Sequence, residues 1–411
     1  MRELSTSLVL AALLFSTIGW AGTKRLERYN LDKIPILKFI KNLGSGPFDE
    51  GKKIIQTGDG GYLVAGRTVS TSGNADISLW KLNADGSEVW HRKFGEEETE
   101  EVADILENED GSFMVLGSSD SFDNGTTKDV WLFKVDAQGK LLWSKNYGKT
   151  TGIEEGKALA KAHDEGYLLV GSTIDLEAEE AQSDILVLKV TGQGEMVWEK
   201  TFGGAKSDVG ADIIPLEDGY CILGDTDSYG KGKWDALVYR IDAQGEKIWE
   251  RTYGGGDTDR GNALELAHDG GVLLAGFSYT FAEASLDCWV VKFSAEGQQE
   301  WIANFGGLST DEAFSVIQTK DGHYVLAGYT EDWKPDEYGD NVSLEGHNVF
   351  IVKFDVSGKE LWRRSLGGEG EQRAFDIVES KDSGFVVVGS NKTEGSNNYE
   401  VLVMKTGENG M

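Results

Sequence analysis

Acidic residues recur at one point of a repeated sequence pattern, and they are the first side chains that could do chemistry. The acid stands five residues after a pair formed by an aromatic residue or leucine and a glycine. In five repeats it is Asp49, Glu100, Asp208, Asp259 or Asp311. A ring of such carboxylates could concentrate cations, calcium among them, or bind a basic partner. The alternative is that each carboxylate caps a turn or a first strand by accepting backbone hydrogen bonds.

Two repeats depart from this pattern. An insertion moves the acid to Glu154 or Glu155 in one repeat, and Gln372 replaces it in the last. Arg260 and Arg373 stand directly beside the acidic positions and would partly neutralise the ring.

The longest connection of its type, from Tyr329 to His347, is a second candidate site. It carries Trp333 and Tyr338, and an exposed aromatic loop is a common contact surface. The alternative is a loop that packs only on itself.

Known catalytic patterns are absent from the sequence. It contains no Gly-x-Ser-x-Gly, no His-Glu-x-x-His and no phosphate-binding glycine loop, and its five histidines lie singly. We therefore assign no catalytic residue and no metal ligand. Asp225-Thr226-Asp227 matches only half of a calcium loop.

These candidate residues lie within a sequence repeat that occurs seven times. An aromatic or apolar position recurs at intervals of 51 to 61 residues and is followed four residues later by glycine. Its members are Tyr62, Phe113, Tyr167, Tyr220, Val272, Tyr324 and Phe385. A frame of an acid or asparagine, four residues and a basic residue follows, and then, in six units, a tryptophan. The tryptophans are Trp90, Trp143, Trp198, Trp249, Trp301 and Trp362.

Four short apolar runs between glycine-rich turns make each unit one blade of a β-propeller. The sequence therefore predicts an all-β, seven-bladed propeller of four-stranded blades. We expect the first strand to be short, as at 211–214, and to begin with a small residue crowded against the central axis. The tryptophans are expected to be buried between blades, with a sugar-stacking platform as the alternative.

The two ends of the chain predict how the ring closes. The seventh unit stops at Gly410 before its tryptophan strand, and Phe39 lies four residues before Leu43-Gly44. Residues 36–43 should complete the last blade and leave no exposed strand edge. The propeller is thus expected to span 36–411.

The repeat resembles the units of exported bacterial and archaeal propellers and of quinoprotein-like propellers. The resemblance rests on Asp136-Ala137-Gln138-Gly139…Trp143 and Asp242-Ala243-Gln244-Gly245…Trp249, which look like a tryptophan-docking motif. It covers about residues 36–410. Quinoprotein dehydrogenases would imply eight blades and a vicinal cysteine pair, whereas Cys221 and Cys288 are far apart. The resemblance implies a scaffold without a cofactor, with calcium as the open alternative.

The N-terminus resembles an export signal. Residues 8–15 form a short apolar run, and Gly19-Trp20-Ala21 offers a cleavage site. We expect a signal peptide at 1–21, a leader at 22–35 and a secreted or periplasmic monomer without a membrane segment after cleavage. The alternative is a buried N-terminal helix.

Charge and cysteine content exclude some partners. The chain of 411 residues has a net charge of −30, which disfavours nucleic acid. Its two cysteines cannot form a disulfide framework, and both are expected to be free and buried.

The function expected from the sequence is a non-enzymatic scaffold or binding module for a protein or a glycan. The first alternative is a carbohydrate-active hydrolase or lyase with carboxylates at the channel mouth. A quinoprotein-like oxidoreductase is the second.

Overall fold

The computed structural model describes residues 37–44, 46–122, 127–282, 285–331, 334–335, 341–342, 346–368, 370–393 and 395–410. The predicted signal peptide at 1–21 and leader at 22–35 lie outside this part of the chain.

The described residues form seven four-stranded antiparallel sheets, which are the blades of a β-propeller. After β1 (Phe39–Leu43), blade 1 contains β2 (Phe48–Gln56), β3 (Tyr62–Val69), β4 (Ala75–Leu82) and β5 (Glu88–Phe94). Blade 2 contains β6 (Glu100–Glu107), β7 (Phe113–Ser119), β8 (Asp129–Val135) and β9 (Leu141–Tyr147). Blade 3 contains β10 (Gly152–Lys161), β11 (Tyr167–Asp175), β12 (Ser183–Val190) and β13 (Met196–Phe202). Blade 4 contains β14 (Asp208–Leu216), β15 (Gly219–Thr226), β16 (Asp235–Asp242) and β17 (Lys247–Tyr253).

The remaining blades follow the same order. Blade 5 contains β18 (Asp259–Leu266), β19 (Val272–Ser278), β20 (Asp287–Phe293) and β21 (Gln299–Phe305). Blade 6 contains β22 (Asp311–Gln318), β23 (Tyr324–Thr330), β26 (Asn348–Phe354) and β27 (Glu360–Leu366), with a small ribbon of β24 (Lys334–Pro335) and β25 (Asn341–Val342) between β23 and β26. Blade 7 contains β28 (Gly370–Glu379), β29 (Phe385–Thr393) and β30 (Glu400–Lys405).

The ring closes as the sequence predicted. β1 pairs antiparallel with β30, and the sheet order of blade 7 is β1-β30-β29-β28. Phe39 takes the place of the missing tryptophan, because a Cβ on Gly86 of blade 1 would lie 2.9 Å from its ring. Gly86 has a φ of 78°, which favours glycine in this turn.

The core consists of one apolar cluster at each interface between blades. The second and third strands of each blade are apolar on both faces because a neighbouring blade covers each face. Leu273 and Val290 of blade 5, for example, pack with Leu326 and Val352 of blade 6. The cluster at the closing interface joins Ile54 of blade 1 to Val386 of blade 7 and to Leu43. A ring of such interfaces leaves no blade face bare.

The first strands are longer than predicted. Strand β14 runs from Asp208 to Leu216, because it continues through a bulge between Gly210 and Asp212, and the same bulge recurs in all seven first strands. The small residue at the bulge is crowded by the preceding blade rather than by the axis. A Cβ on Gly51 would collide with Val388, and one on Gly261 would lie 2.8 Å from Leu223.

The outer tryptophans dock blades together, but most are not deeply buried. The Trp90 indole donates to the Ala137 carbonyl in the next blade at 3.1 Å, and Trp249 and Trp301 make the equivalent bonds at 3.3 and 3.1 Å. Trp90 is buried, whereas the other five are partly exposed. The fully buried tryptophans are Trp80 and Trp289 on third strands.

A buried base paired with an exposed acid recurs within every blade. The base lies on the third strand and the acid in the turn between the first two strands. The pairs are Lys81–Asp59, Lys134–Asp110, Lys189–Asp164, Arg240–Asp218, Lys292–Asp269, Lys353–Asp321 and Lys405–Asp382.

Both cysteines are free and buried, as predicted. Burial raises the pKa of the Cys221 thiol to about 12 and also raises that of Cys288. Within the described ranges, no helix has the length and apolar character needed to cross a bilayer.

Candidate functional site

The recurring acids are buried and bonded to the turn that precedes them. Asp49, Glu100, Asp208, Asp259 and Asp311 are all 0% exposed. Asp49, Asp208 and Asp259 each accept a backbone amide hydrogen bond at 2.7 Å, from Gly46, Gly204 and Gly255. Glu100 and Asp311 accept the equivalent bonds at 3.1 and 3.0 Å. This is the geometry of the capping alternative, and a binding role for these five residues stays a prediction.

Glu100, Asp208, Asp259 and Asp311 also lie close to a second acid, which stands at the start of the third strand of the preceding blade: Asp76, Asp184, Asp235 and Asp287. A Cβ on Gly203 would collide with Asp184 and approach Asp208 to 2.9 Å, so the glycine lets two carboxylates come together. Burial and then the Asp208 charge raise the pKa of Asp184. Between blades 6 and 7, Asn348 and Gln372 occupy the same places around Gly367. Since a neutral pair also fits, the arrangement does not depend on charge.

Trp333 and Tyr338 lie outside the described residues. At the two ends of their loop, the His347 imidazole lies 2.7 Å from the Glu331 carboxylate. The contact role predicted for Trp333 and Tyr338 stays a prediction.

The first strands of neighbouring blades contact one another all the way round and enclose a central channel. The residue before the bulge residue varies from blade to blade, and so does the residue after it, whereas the acid that precedes both recurs in most blades. We call these seven residues the mouth ring: Glu50, Glu101, Glu155, Val209, Arg260, Glu312 and Arg373. Positions that repeat in every blade serve the fold, so a varying position is where specificity can reside.

Blades 1 to 3 carry the acidic half of the mouth ring. Glu50 pairs with Lys52 at 2.7 Å, and Arg67 reaches both Glu50 and Glu101. Glu155 pairs with Lys128 and with Lys157, each at 3.1 Å. The acids in this half are thus largely balanced by bases.

Glu312 is a partly buried acid in the other half. The Tyr329 hydroxyl donates to its Oε2 at 3.2 Å, and the Asn262 amide donates to its Oε1 at 3.3 Å. Burial raises the pKa of Glu312, while Arg373 and Arg260 act against this rise. Burial and the Glu312 charge in turn raise the pKa of Tyr329, which therefore stays a donor.

Two arginines flank this acid. The Arg260 guanidinium lies 4.9 Å from the centre of the Trp234 ring, and its Nε donates to Asp225 at 2.8 Å. The Arg373 guanidinium lies 5.0 Å from the Tyr329 ring, and its Nη2 lies 3.2 Å from the nearer ring nitrogen of His347. Stacking and hydrogen bonding fix both guanidinium groups in orientation.

Aromatic rings line the channel wall below Glu312 and Arg373. Phe314 and Phe375 have ring centres 5.1 Å apart, and both side chains are partly exposed. The Lys52 ammonium lies 4.3 Å from the centre of the Phe375 ring. At the same repeat position the other blades carry lysine, alanine or asparagine. Exposure of a phenyl ring to water is unfavourable. Two neighbouring, partly exposed phenyl rings at a position that varies between blades therefore point to contact with a ligand.

The spacing of the sequence did not predict this half of the mouth, which we call the aromatic–arginine half: Arg260, Asn262, Glu312, Phe314, Tyr329, Arg373 and Phe375. In the sequence, Arg260 and Arg373 were interpreted only as charges that neutralise the acidic ring. The available signal was the variation at the mouth-ring position and at the position two residues later, since the seven copies can be compared with one another. The contacts across blades could not be read from spacing.

Deeper in the channel, Lys53 is surrounded by acids from other blades. Its ammonium lies 3.9 Å from Asp104, and Asp376 and Asp212 also act on its charge. Burial raises the pKa of Asp212 to about 6. In the part of the chain that is described, no group of three or more His, Cys, Asp or Glu side chains is placed to hold a metal ion.

Comparison with known proteins supports the fold. No known family model matches the chain. Over 225 residues it is 27% identical to the regulatory protein FlaEY of Caulobacter vibrioides, a match that covers 48% of this chain and 23% of FlaEY. The chain therefore matches less than a quarter of the length of that curated relative.

Two solved structures share the architecture. The β-propeller domain of the Trilobed protease from Pyrococcus furiosus is 11% identical with a TM-score of 0.50, covering 89% of this chain and 97% of that one. The polysaccharide lyase Uly1 is 10% identical with a TM-score of 0.50, covering 90% and 91%. At these identities the likeness establishes a β-propeller fold and no activity.

Proposed function

We propose that this protein is an exported, non-enzymatic propeller that binds a glycan or a protein at the aromatic–arginine half of its channel mouth. One observation carries the proposal. The recurring acids are buried and each accepts a hydrogen bond from a turn amide, whereas partly exposed rings and arginines gather at the positions that vary between blades. Export rests on the apolar run at 8–15 and the cleavage pattern that follows it.

A carbohydrate-active enzyme is the second candidate, and Glu312 is the observation that favours it. A partly buried carboxyl with a raised pKa beside a tyrosine and two arginines is a common setting for a general acid. Against this role, both Glu312 oxygens accept hydrogen bonds from the protein. Catalysis by paired acids would need a second carboxylate free to reach the same sugar. The binding role therefore has the stronger support.

The test is a screen of the purified full chain against a glycan array and against proteins of its source cells. The wild-type protein is compared with Phe314→Ala and Phe375→Ala and with Lys157→Ala, which changes the same repeat position in blade 3. We expect a ligand that is retained by the wild type and the control and released by both phenylalanine variants. Equal retention by all four proteins would contradict the proposed site. Breakdown of a retained glycan on incubation, abolished by Glu312→Gln, would favour the enzyme.

A further inference from the structure

The ligand class can be narrowed, and this step rests on the proposed function. We propose that the aromatic–arginine half binds an anionic glycan, whose carboxylate or sulfate groups lie between Arg260 and Arg373 and whose sugar rings lie on Phe314 and Phe375.

The arginines retain donors that an anion can use. Within the described residues, Arg260 uses its Nε for Asp225, and its terminal NH2 groups make no hydrogen bond. Arg373 uses Nη2 for His347 and makes no hydrogen bond through Nη1 among those residues, whereas its Nε is buried and is not offered to a ligand. Their side chains are 35% and 33% exposed, so solvent and a ligand can reach them. A guanidinium with two free N–H groups suits the paired oxygens of a carboxylate or sulfate.

The neighbouring groups suit sugar. Phe314, Tyr329 and Phe375 form a continuous aromatic wall, since the Phe314 ring centre lies 6.0 Å from that of Tyr329 and 5.1 Å from that of Phe375. Ligand sites typically join such apolar surfaces to a few fixed polar groups. Asn262, Glu312 and Tyr329 supply an amide, a carboxylate and a hydroxyl beside the wall, and sugar hydroxyls can both donate to and accept from these groups.

The charge of the whole molecule favours a glycan over an acidic protein. A net charge of −30 repels an acidic protein across its whole surface, whereas a glycan chain meets only the mouth. Asp225 and Glu371 pair with the two arginines, and the Glu312 charge acts on both, so these three acids weaken the attraction of the arginines for an anion. We therefore expect binding that weakens as salt screens the arginines.

The test is titration calorimetry of the full chain with four probes. The probes are oligogalacturonate for carboxylate, dextran sulfate for sulfate, neutral dextran, and polyglutamate for an acidic peptide. We expect binding of oligogalacturonate, dextran sulfate or both, and no comparable binding of dextran or polyglutamate. Arg260→Gln and Arg373→Gln should each weaken binding by about tenfold or more, the loss expected for a hydrogen bond between charged groups. Lys157→Gln removes the same charge from the opposite half of the mouth and should change binding little.

Each other outcome has a definite meaning. Absence of binding to both anionic glycans, equal binding of dextran, equal binding of polyglutamate, or undiminished binding by both arginine variants overturns this proposal. Melting curves of every variant exclude misfolding, and Phe314→Ala gives a second variant that leaves the charge unchanged. If a neutral glycan or a protein is retained and then released by Phe314→Ala, the proposed binding function stands while the anionic ligand is wrong. If the screens above retain nothing, the proposed function fails as well.

Discussion

At the scale of single residues, the pairing of a buried base with an acid in a turn explains why a basic residue recurs on the third strand of every blade. In the sequence, the base stands five residues after the acid or asparagine at the start of the third strand. The base instead reaches the Asp of the turn before the second strand, as Lys81 does with Asp59 at 2.9 Å. Strand registry decides this partner, and registry is not visible in spacing alone.

Removing the acid of such a pair should destabilise the fold. Asp59→Asn leaves Lys81, whose side chain is 7% exposed, without its charge partner. We expect a loss of about 1–3 kcal/mol in the free energy of unfolding, measured by urea denaturation at pH 7. Burial acts to raise the pKa of Asp59, but hydrogen bonds, led by that from Lys81, lower it to about 2. The difference in unfolding free energy between the wild type and Asp59→Asn should therefore be present above pH 4 and should fade as the pH falls toward 2.

The exposed pair Lys161–Glu109 is the matched control for Asp59→Asn. Glu109 is 95% exposed, so Glu109→Gln should change stability by less than about 0.5 kcal/mol. Equal effects of the two substitutions would contradict the role given to burial of the lysine.

Glu265 in the channel wall should make stability depend on pH in the opposite direction. Burial raises the pKa of Glu265 to about 7, although the backbone N–H of Gln318 donates a hydrogen bond to its carboxylate. A raised acid pKa in the folded state means that stability falls as pH rises from about 4.5 to 7. Glu265→Gln should therefore stabilise the protein by on the order of 1 kcal/mol at pH 8 and by nothing below pH 4. Melting temperatures of both proteins across this range test it, and a constant difference would refute the assignment.

At the scale of elements, the four-strand unit and the closing strand could be predicted because they follow from repetition. Turn residues recur in step, and Phe39-Ile40-Lys41-Asn42-Leu43-Gly44 matches the missing end of the last repeat. The length of the first strand was wrong, since a bulge at 210–212 continues a strand that periodicity alone would end. The prediction that the recurring tryptophans are buried was also wrong for five of the six, because the outer strand of each blade faces solvent on one side.

Phe39 should contribute to ring closure through its contact with the turn at Gly86. Phe39→Ala removes a partly exposed ring, so we expect a loss of about 1–3 kcal/mol in unfolding free energy. Ile40→Ala changes the adjacent residue, which is 48% exposed, and should cost less than about 0.5 kcal/mol. Deleting 37–44 removes the strand and should lower the melting temperature further and broaden the transition. Unchanged melting after this deletion would contradict closure by β1.

At the scale of the whole molecule, most positions of the repeat recur in every blade, and a few differ between blades. Buried acids, tryptophan contacts and base–acid pairs recur around the ring, so they build the propeller. The mouth ring changes from Glu50, Glu101 and Glu155 on one side to Arg260 and Arg373 on the other. The sequence could reveal the frame because its copies confirm one another. It could not reveal the aromatic–arginine half, because that half depends on contacts between different blades.

Net charge should make the stability of the whole molecule depend on salt. With a charge of −30, raising NaCl from about 0.02 to about 0.5 M should raise the melting temperature by screening repulsion. EDTA should leave it unchanged at constant ionic strength, since the Asp49, Asp208 and Asp259 carboxylates are bonded to amides. A fall in melting temperature with EDTA, reversed by calcium, would instead support the cation role predicted for these acids.

The most direct measurement is a crystal structure of the full chain with the ligand that the glycan and protein screens retain. We predict ligand atoms within ~4 Å of Phe314, Phe375 and Arg373, with the mouth of blades 1 to 3 left open. A ligand seated on the outer strands of the blades, or on the acidic half of the mouth, would contradict it.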